Sequence, residues 1–267
     1  MANNKYPQCL ATVAVALSLE LSILPFFATQ VQAQVEPVNS GSQQSLRDVV
    51  QIRFKSPPGQ GEPKQSGTTG SRGKCYQDKD QRSSSLTPLL PSTNQGLTMA
   101  ERPTFFVYVP PTLAQIAEFV LIDRTDKNKP REVYYKTFSL PQVSGIVSVK
   151  LPTEQPPLEI GRDYQWSFTL FCDSDERSDD ISVYGWVKRT APNLAVSNAL
   201  ENAKPLERAA LYGEYGMWQE LLTTLADLRR SQPENSTLAS IWNQLLKSES
   251  VKLDKISQEP LVDCCSL

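Results

Sequence analysis

Catalysis needs particular side chains at particular spacings, and this 267-residue chain contains no histidine. That removes Ser-His-Asp and Cys-His nucleophile arrangements, histidine-containing zinc sites and the usual general base near neutral pH. Carboxylates, cysteines and rings remain. The densest acidic stretch, Asp173-Ser-Asp-Glu-Arg-Ser-Asp-Asp180, offers oxygen atoms to a calcium ion. Arg177 and Ser178, however, stand where an EF-hand loop needs a ligand and a glycine, so the stretch reads as a solvated hairpin loop. Asp123 with Asp126, or Asp173 with Glu176, are the raw material of a carboxylate-dependent glycosidase. Aspartate is equally an ordinary turn former, and the spacing places neither pair in a cleft. There is no Gly-x-Ser-x-Gly elbow, glycine-rich phosphate loop or His-Glu-x-x-His helix. The chain is therefore expected not to be an enzyme, with no catalytic, cofactor-binding or metal-ligating residue assigned.

The aromatic residues point to binding instead. Over residues 181–189, Ile181, Val183, Gly185 and Val187 take one face of a strand, while Ser182, Tyr184, Trp186 and Lys188 take the other. If that second face is open, Tyr184 and Trp186 can stack on an envelope glycan or anchor a protein; if a helical layer covers it, they become core. With 27 Lys+Arg against 29 Asp+Glu, a net charge of -2, no basic field exists to engage nucleic acid.

Residues 9–28 form the only long apolar run, preceded by Lys5 and followed by Val31-Gln32-Ala33, the small-residue signature of a signal peptidase site. Residues 1–33 are thus expected to be a signal peptide, cleaved after Ala33, on a protein exported to the periplasm or beyond. Glu20 and Pro25 interrupt the run and weigh against an uncleaved anchor; no other segment is long enough to span a bilayer. Removing Cys9 with the signal leaves Cys75, Cys172, Cys264 and Cys265, an even set in an oxidising compartment. Adjacent Cα atoms lie about 3.8 Å apart, below the usual disulfide range, which disfavours a Cys264–Cys265 ring. Cys75 to Cys172 is the expected bridge, and the pairing of the last two cysteines stays open.

Hydrophobic residues make up 39% of the chain, beside 20 prolines, so a core must share the sequence with segments that bury little. Residues 34–85, rich in Gly, Pro, Ser and Gln, read as a disordered linker in which only Val50, Ile52 and Phe54 alternate like an edge strand. Residues 86–190 break into short apolar runs at 86–90, 104–109, 117–123, 132–140, 145–151, 164–173 and 181–189, separated by turn residues. That spacing predicts a β-sandwich of immunoglobulin or fibronectin type. Leu158, Gly161 and Tyr164 are spaced like the corner in which a tyrosine hydroxyl bonds backbone just upstream of its own strand. Residues 197–249 then turn helical: Leu206, Ala209, Ala210 and Gly213 form one stripe, Gly216 a break, and Leu221, Leu222, Leu225 and Leu228 a second stripe ending before Pro233. Leu238, Ile241, Trp242, Leu245 and Leu246 form a third, capped at Asn235 or Ser236. Residues 250–267 read as a C-terminal tail.

The first two helices resemble one tetratricopeptide repeat in the spacing of Ala209, Tyr212, Gly216, Trp218, Leu221, Leu225, Leu228 and Pro233, although Leu221 fills a position where that motif has a small residue. A lone repeat leaves an apolar face to cover. Over nearly all the mature chain the sequence also resembles the cyanobacterial family called domain of unknown function 928. The residues that carry this are Arg72-Gly-Lys-Cys75, Leu86-Thr-Pro-Leu-Leu-Pro91, Gly96-Leu-Thr-Met-Ala-Glu-Arg-Pro-Thr-Phe-Phe-Val-Tyr-Val-Pro110, Gly145-Ile-Val-Ser-Val-Lys-Leu-Pro152, Tyr164-Gln-Trp-Ser-Phe168, Cys172-Asp173, Gly185-Trp186 and Pro205-Leu-Glu-Arg-Ala-Ala-Leu-Tyr212. The resemblance implies an exported protein of shared architecture, with no assigned reaction or substrate. The expected whole is a β-sandwich followed by a small α-helical repeat-like module, acting as a non-enzymatic protein-interaction module of the cell envelope. Another envelope protein would dock on whichever of Tyr212, Trp218 and Trp242 is exposed.

Overall fold

The structure is a computed structural model, and it describes residues 51–57, 75, 85–141, 143–173, 177–192 and 194–264. Residues 1–33, expected to be a signal peptide, most of the expected linker, the middle of the acidic loop and Cys265 lie outside the described residues. The strands are β1 (Thr87–Pro88), β2 (Gln95–Thr98), β3 (Thr104–Val109), β4 (Ile116–Asp123), β5 (Arg131–Ser139), β6 (Gly145–Lys150), β7 (Asp163–Phe171) and β8 (Ile181–Arg189). The helices are α1 (Leu194–Glu201), α2 (Pro205–Glu214), α3 (Trp218–Ser231) and α4 (Ser236–Lys247). The strands form a three-stranded sheet in the order β1-β3-β6 and a five-stranded sheet in the order β2-β8-β7-β4-β5.

In the larger sheet, apolar residues at every second position of β4, β7 and β8 turn to one side and become core. Phe105 of β3 meets this side from the smaller sheet, its ring 5.0 Å from Phe119 and 5.4 Å from Trp166. The smaller sheet follows a different rule. From Phe105 to Val109 every residue of β3 is buried, so both of its faces are covered. One face meets the larger sheet; the other, carrying Phe106, Tyr108 and the partly buried Ser148, receives α3, whose Arg230 donates to the Ser148 hydroxyl at 3.1 Å. From the same side α3 also lies directly against β2, the edge of the larger sheet, where Gln219 abuts Gly96.

This overturns the expected β-sandwich of immunoglobulin or fibronectin type followed by a small separate helical repeat-like module. The two sheets are unequal, and β2 runs parallel to β8. The helices share one continuous hydrophobic core with both sheets, which makes the fold mixed α/β. Burial of β3 on both faces is the physical reason: five successive apolar residues demand a second covering layer, and α3 supplies it.

Two seams hold that layer. At the first, the Trp218 indole donates to the Leu89 carbonyl at 2.9 Å. At the second, Glu220, in the first turn of α3, accepts through one oxygen from the Thr98 hydroxyl (2.7 Å), the Met99 N–H (2.7 Å) and the Ala100 N–H (2.8 Å). Its other oxygen is buried without a partner among the described residues. Burial raises the Glu220 carboxyl above its ordinary 4.5, outweighing these hydrogen bonds. The native state thus holds this proton more tightly than the unfolded chain, so the group's contribution to stability is full below 4.5 and is lost as pH rises through the native value. Glu220→Gln does not titrate. In urea unfolding from acid to neutral pH, any stability advantage of the wild type over this variant is expected to shrink as pH rises, whereas a difference flat in pH would contradict the assignment.

Residues at both ends of the described chain lock onto this frame. Gly216 adopts φ +73°, the left-handed conformation that lets α2 turn into α3, and Gly213 lacks the Cβ that would strike the Arg53 carbonyl. Ile52 and Phe54 therefore bury against the helices rather than adding an edge strand: Lys55 N–H donates to Gly213 O at 2.9 Å, and the Phe54 ring stands edge-on to Trp218 at 4.9 Å. Beyond α4, Val251 and Ile256 are buried and the chain pairs with β6, Ile146 donating to Pro260 O (2.7 Å) and accepting from Val262 N–H (2.9 Å). The tyrosine corner is present, with Tyr164 hydroxyl accepting from the Glu159 N–H at 2.8 Å. Among the described residues no helix is long and apolar enough to cross a membrane.

Candidate functional site

The three rings assigned to partner docking are core. Trp218 and Trp242 are 0% exposed and Tyr212 9%. Trp218 fills the seam between α3 and β1, and Trp242 on α4 lies beneath the Arg229 guanidinium at 5.2 Å. The helical spacing that nominated them is the spacing of a buried stripe, and the docking role through these residues is withdrawn.

Tyr184 and Trp186 have the opposite fate. Helix α3 meets β3 and the face of β2 that carries Gly96 and Thr98, the face shared with Val187 in the core, so the layer expected to cover the outer face of β8 packs on the opposite side of that sheet. Strand pairing fixes what stands on this face. One row crosses four strands as Tyr184, Ser167, Val120 and Tyr135; the next runs Gln95, Trp186, Gln165 and Ile122. Tyr135 is 50% exposed, and Tyr184, Trp186, Ser167 and Val120 are half-buried. At a strand spacing near 4.8 Å, Tyr184 and Tyr135 stand roughly 14 Å apart, with the short side chains of Ser167 and Val120 between them. The result is a shallow trough walled by rings. The Tyr184 hydroxyl, the Trp186 indole N–H and the Ser167 hydroxyl have no hydrogen-bond partner among the described residues.

Two cations beside the trough are paired, while Arg124 and the exposed Glu132, opposite Ile122, have no ion-pair partner among the described residues. Arg177 lies 3.8 Å from Glu118 and stacks over the Phe171 ring at 3.7 Å, while Lys188 reaches Asp163 at 3.4 Å. The Tyr135 hydroxyl bonds Glu118, which pushes the phenol above its usual range. Amide and hydroxyl groups surround the rings: Arg124 donates to Gln165 at 3.1 Å, and Thr169 and Ser182 share a 2.8 Å hydrogen bond.

Of the acidic residues read earlier as possible catalysts, Asp123 and Asp126 are spent on structure, and Glu176 lies outside the described residues. Asp123 is buried, which works against its charge, but Thr125 N–H (3.0 Å) together with Arg131 (3.4 Å) and Arg162 (2.8 Å) outweighs burial and holds the carboxyl below its ordinary range. A glycosidase acid needs the opposite shift. Asp126 accepts from Asn128 N–H within its turn, and Asp180 from Cys172 N–H. The Cys75–Cys172 disulfide is formed, with Cα atoms 4.7 Å apart. Cys264 is also disulfide-bonded, and its pairing lies outside the described residues.

Sequence reasoning missed a groove of about 620 Å³ between α1, α2 and residues 51–53, because its walls come from distant segments. Ala199, Ala203, Ala210 and Leu211 contribute its apolar lining, with no aromatic ring among the lining residues. Its acids are engaged: Glu207 accepts from Lys204 N–H, and Glu214 pairs with Lys55.

A family described as Domain of Unknown Function (DUF928) matches residues 67–261, an unbroken span containing both sheets and all four helices. The chain belongs to this family. Neither a curated protein nor a solved structure matches this DUF928 chain. The match begins after the Ile52–Phe54 contact and ends at Leu261, the residue that bridges to β6. Sheets and helical layer thus recur as one sequence unit, in agreement with their common core.

Proposed function

We propose that this chain is an exported, non-enzymatic binding protein of the cell envelope, and that its recognition surface is the outer face of the five-stranded sheet. One observation carries the reading: α3, the helix that meets the sheets, packs on their inner side, and Tyr184, Trp186 and Ser167 keep polar tips that no group among the described residues satisfies. Trp218 and Tyr164, by contrast, spend their polar tips on the fold, at the Leu89 carbonyl and the Glu159 N–H. Rings with free polar tips on an accessible surface are characteristic recognition groups, since one side chain offers both contact area and a hydrogen bond. Export rests on the leader-like residues 1–33 and on the resemblance to exported cyanobacterial proteins. The tetratricopeptide-like spacing of α2 and α3 here serves internal packing.

The test is fractionation of cells producing the full chain. The exported form is expected to begin at Gln34 and to sediment with the envelope, and Tyr135→Ala combined with Trp186→Ala is expected to release it while leaving its unfolding midpoint near wild type. Retention unchanged in that folded variant, or a chain that stays inside the cell, would refute the proposal.

A further inference from the structure

We infer that the ligand of this face is an uncharged glycan, laid across the strands in the trough between Tyr184 and Tyr135; the inference rests on the face being the recognition surface. Three features select this class. First, the ionised groups that border the trough sum to no net charge: Arg177 pairs with Glu118 and Lys188 with Asp163, and the remaining two, Arg124 beside Gln165 and Glu132 opposite Ile122, are of opposite sign, so no net field is offered to an ionic ligand. Second, the free groups are a phenol, an indole N–H and a primary hydroxyl, between them both donors and acceptors, which is what a ligand with many hydroxyls can satisfy. Third, the rings are spread along the trough rather than gathered into one apolar knob. Trp186 stands two residues from Tyr184, roughly 7 Å along the strand, and Tyr135 is roughly 14 Å across it. A protein interface of standard size concentrates its anchors in a dry central pocket. A chain of pyranose rings presents flat C–H faces at repeated intervals with hydroxyls at the edges, and it matches separated rings with polar groups between them.

The floor supports this geometry. Ser167 and Val120 keep it low, so a planar ring can descend between Tyr184 and Tyr135. Gln165 and Gln95 flank Trp186 in the neighbouring row and extend the polar edge. Arg124 already orients Gln165 through its side-chain oxygen, leaving the amide N–H₂ to donate.

The experiment is affinity electrophoresis and glycan-array binding of the full exported chain, with a panel of neutral polysaccharides and with alginate as the charged comparison. At least one neutral glycan is expected to bind, with an affinity nearly independent of salt. Trp186→Ala is expected to weaken binding about 10-fold or more, Tyr135→Ala by several-fold, and Trp186→Tyr to retain most of it. Tyr135 is on an exposed edge strand, so its variant keeps the test valid should Trp186→Ala fold poorly. No neutral glycan bound, binding of alginate alone, or binding indifferent to both ring deletions would overturn the inference. If the ring variants still lose their envelope retention while no neutral glycan binds, the recognition face stands and the ligand class falls.

Discussion

Replacing Trp218 with alanine is expected to destabilise the entire chain, sheets included, by about 3–5 kcal/mol. The indole is fully buried, meets Phe54 edge-on at 4.9 Å and donates to the Leu89 carbonyl next to β1, so its removal opens a cavity where helices, N-terminal segment and smaller sheet converge. For a unit of this size each kcal/mol shifts the melting temperature by about 2–4 °C, giving a fall of roughly 6–20 °C. Circular dichroism should show helical and strand signals melting together at the lowered temperature. A helical signal that melts early while the strands hold their wild-type midpoint would restore the separate-module architecture.

The second large effect is at the disulfide. Cys75 and Cys172 are 97 residues apart in sequence, and a closed loop near that length is worth up to about 4.7 kcal/mol on the chain-entropy model. Cys75→Ser combined with Cys172→Ser is therefore expected to lower stability by about 2–5 kcal/mol in urea unfolding, without altering the pairing of Cys264. Locally, the bridge also holds the point where the Cys75 carbonyl accepts from Thr112 (2.6 Å) and Leu113 (2.9 Å), anchoring the approach to β4. A double variant within experimental error of wild type would mean that these hydrogen bonds hold the segment without the bridge.

Features set by neighbours in sequence were legible from residues alone. The limits of β3 and β8, the left-handed Gly216, the Asn235 cap of α4 and the Tyr164 corner all follow from local chemistry, and the Cys75–Cys172 bridge expected among three possible pairings is formed. Features set by distant partners were not. Gln95-Gly-Leu-Thr98 has little strand character of its own; it is a strand because β8 lies beside it and Glu220 grips its end. The tail from Val251 onward and the pair Ile52 and Phe54 carry too few apolar residues to announce an element, yet each finds a groove on the folded frame. The candidate site divides in the same way. Alternation along β8 correctly separated Tyr184 and Trp186 from the core face, but which sheet the helices cover is a tertiary fact. For Tyr212, Trp218 and Trp242, a helical stripe looks the same in sequence whether it meets a partner or its own sheet.

Quenching of tryptophan fluorescence by a neutral aqueous quencher tests the architecture and the open face together. The chain has four tryptophans. Trp166, Trp218 and Trp242 are at most 1% exposed, whereas Trp186 is half-buried on the outer face. The expected result is one quenchable component, absent from Trp186→Phe and protected when a glycan binds. Uniform protection of all four rings would show the face to be covered, and a quenchable component that survives in Trp186→Phe would place Trp218 or Trp242 at the surface; either result would contradict the arrangement of layers described above.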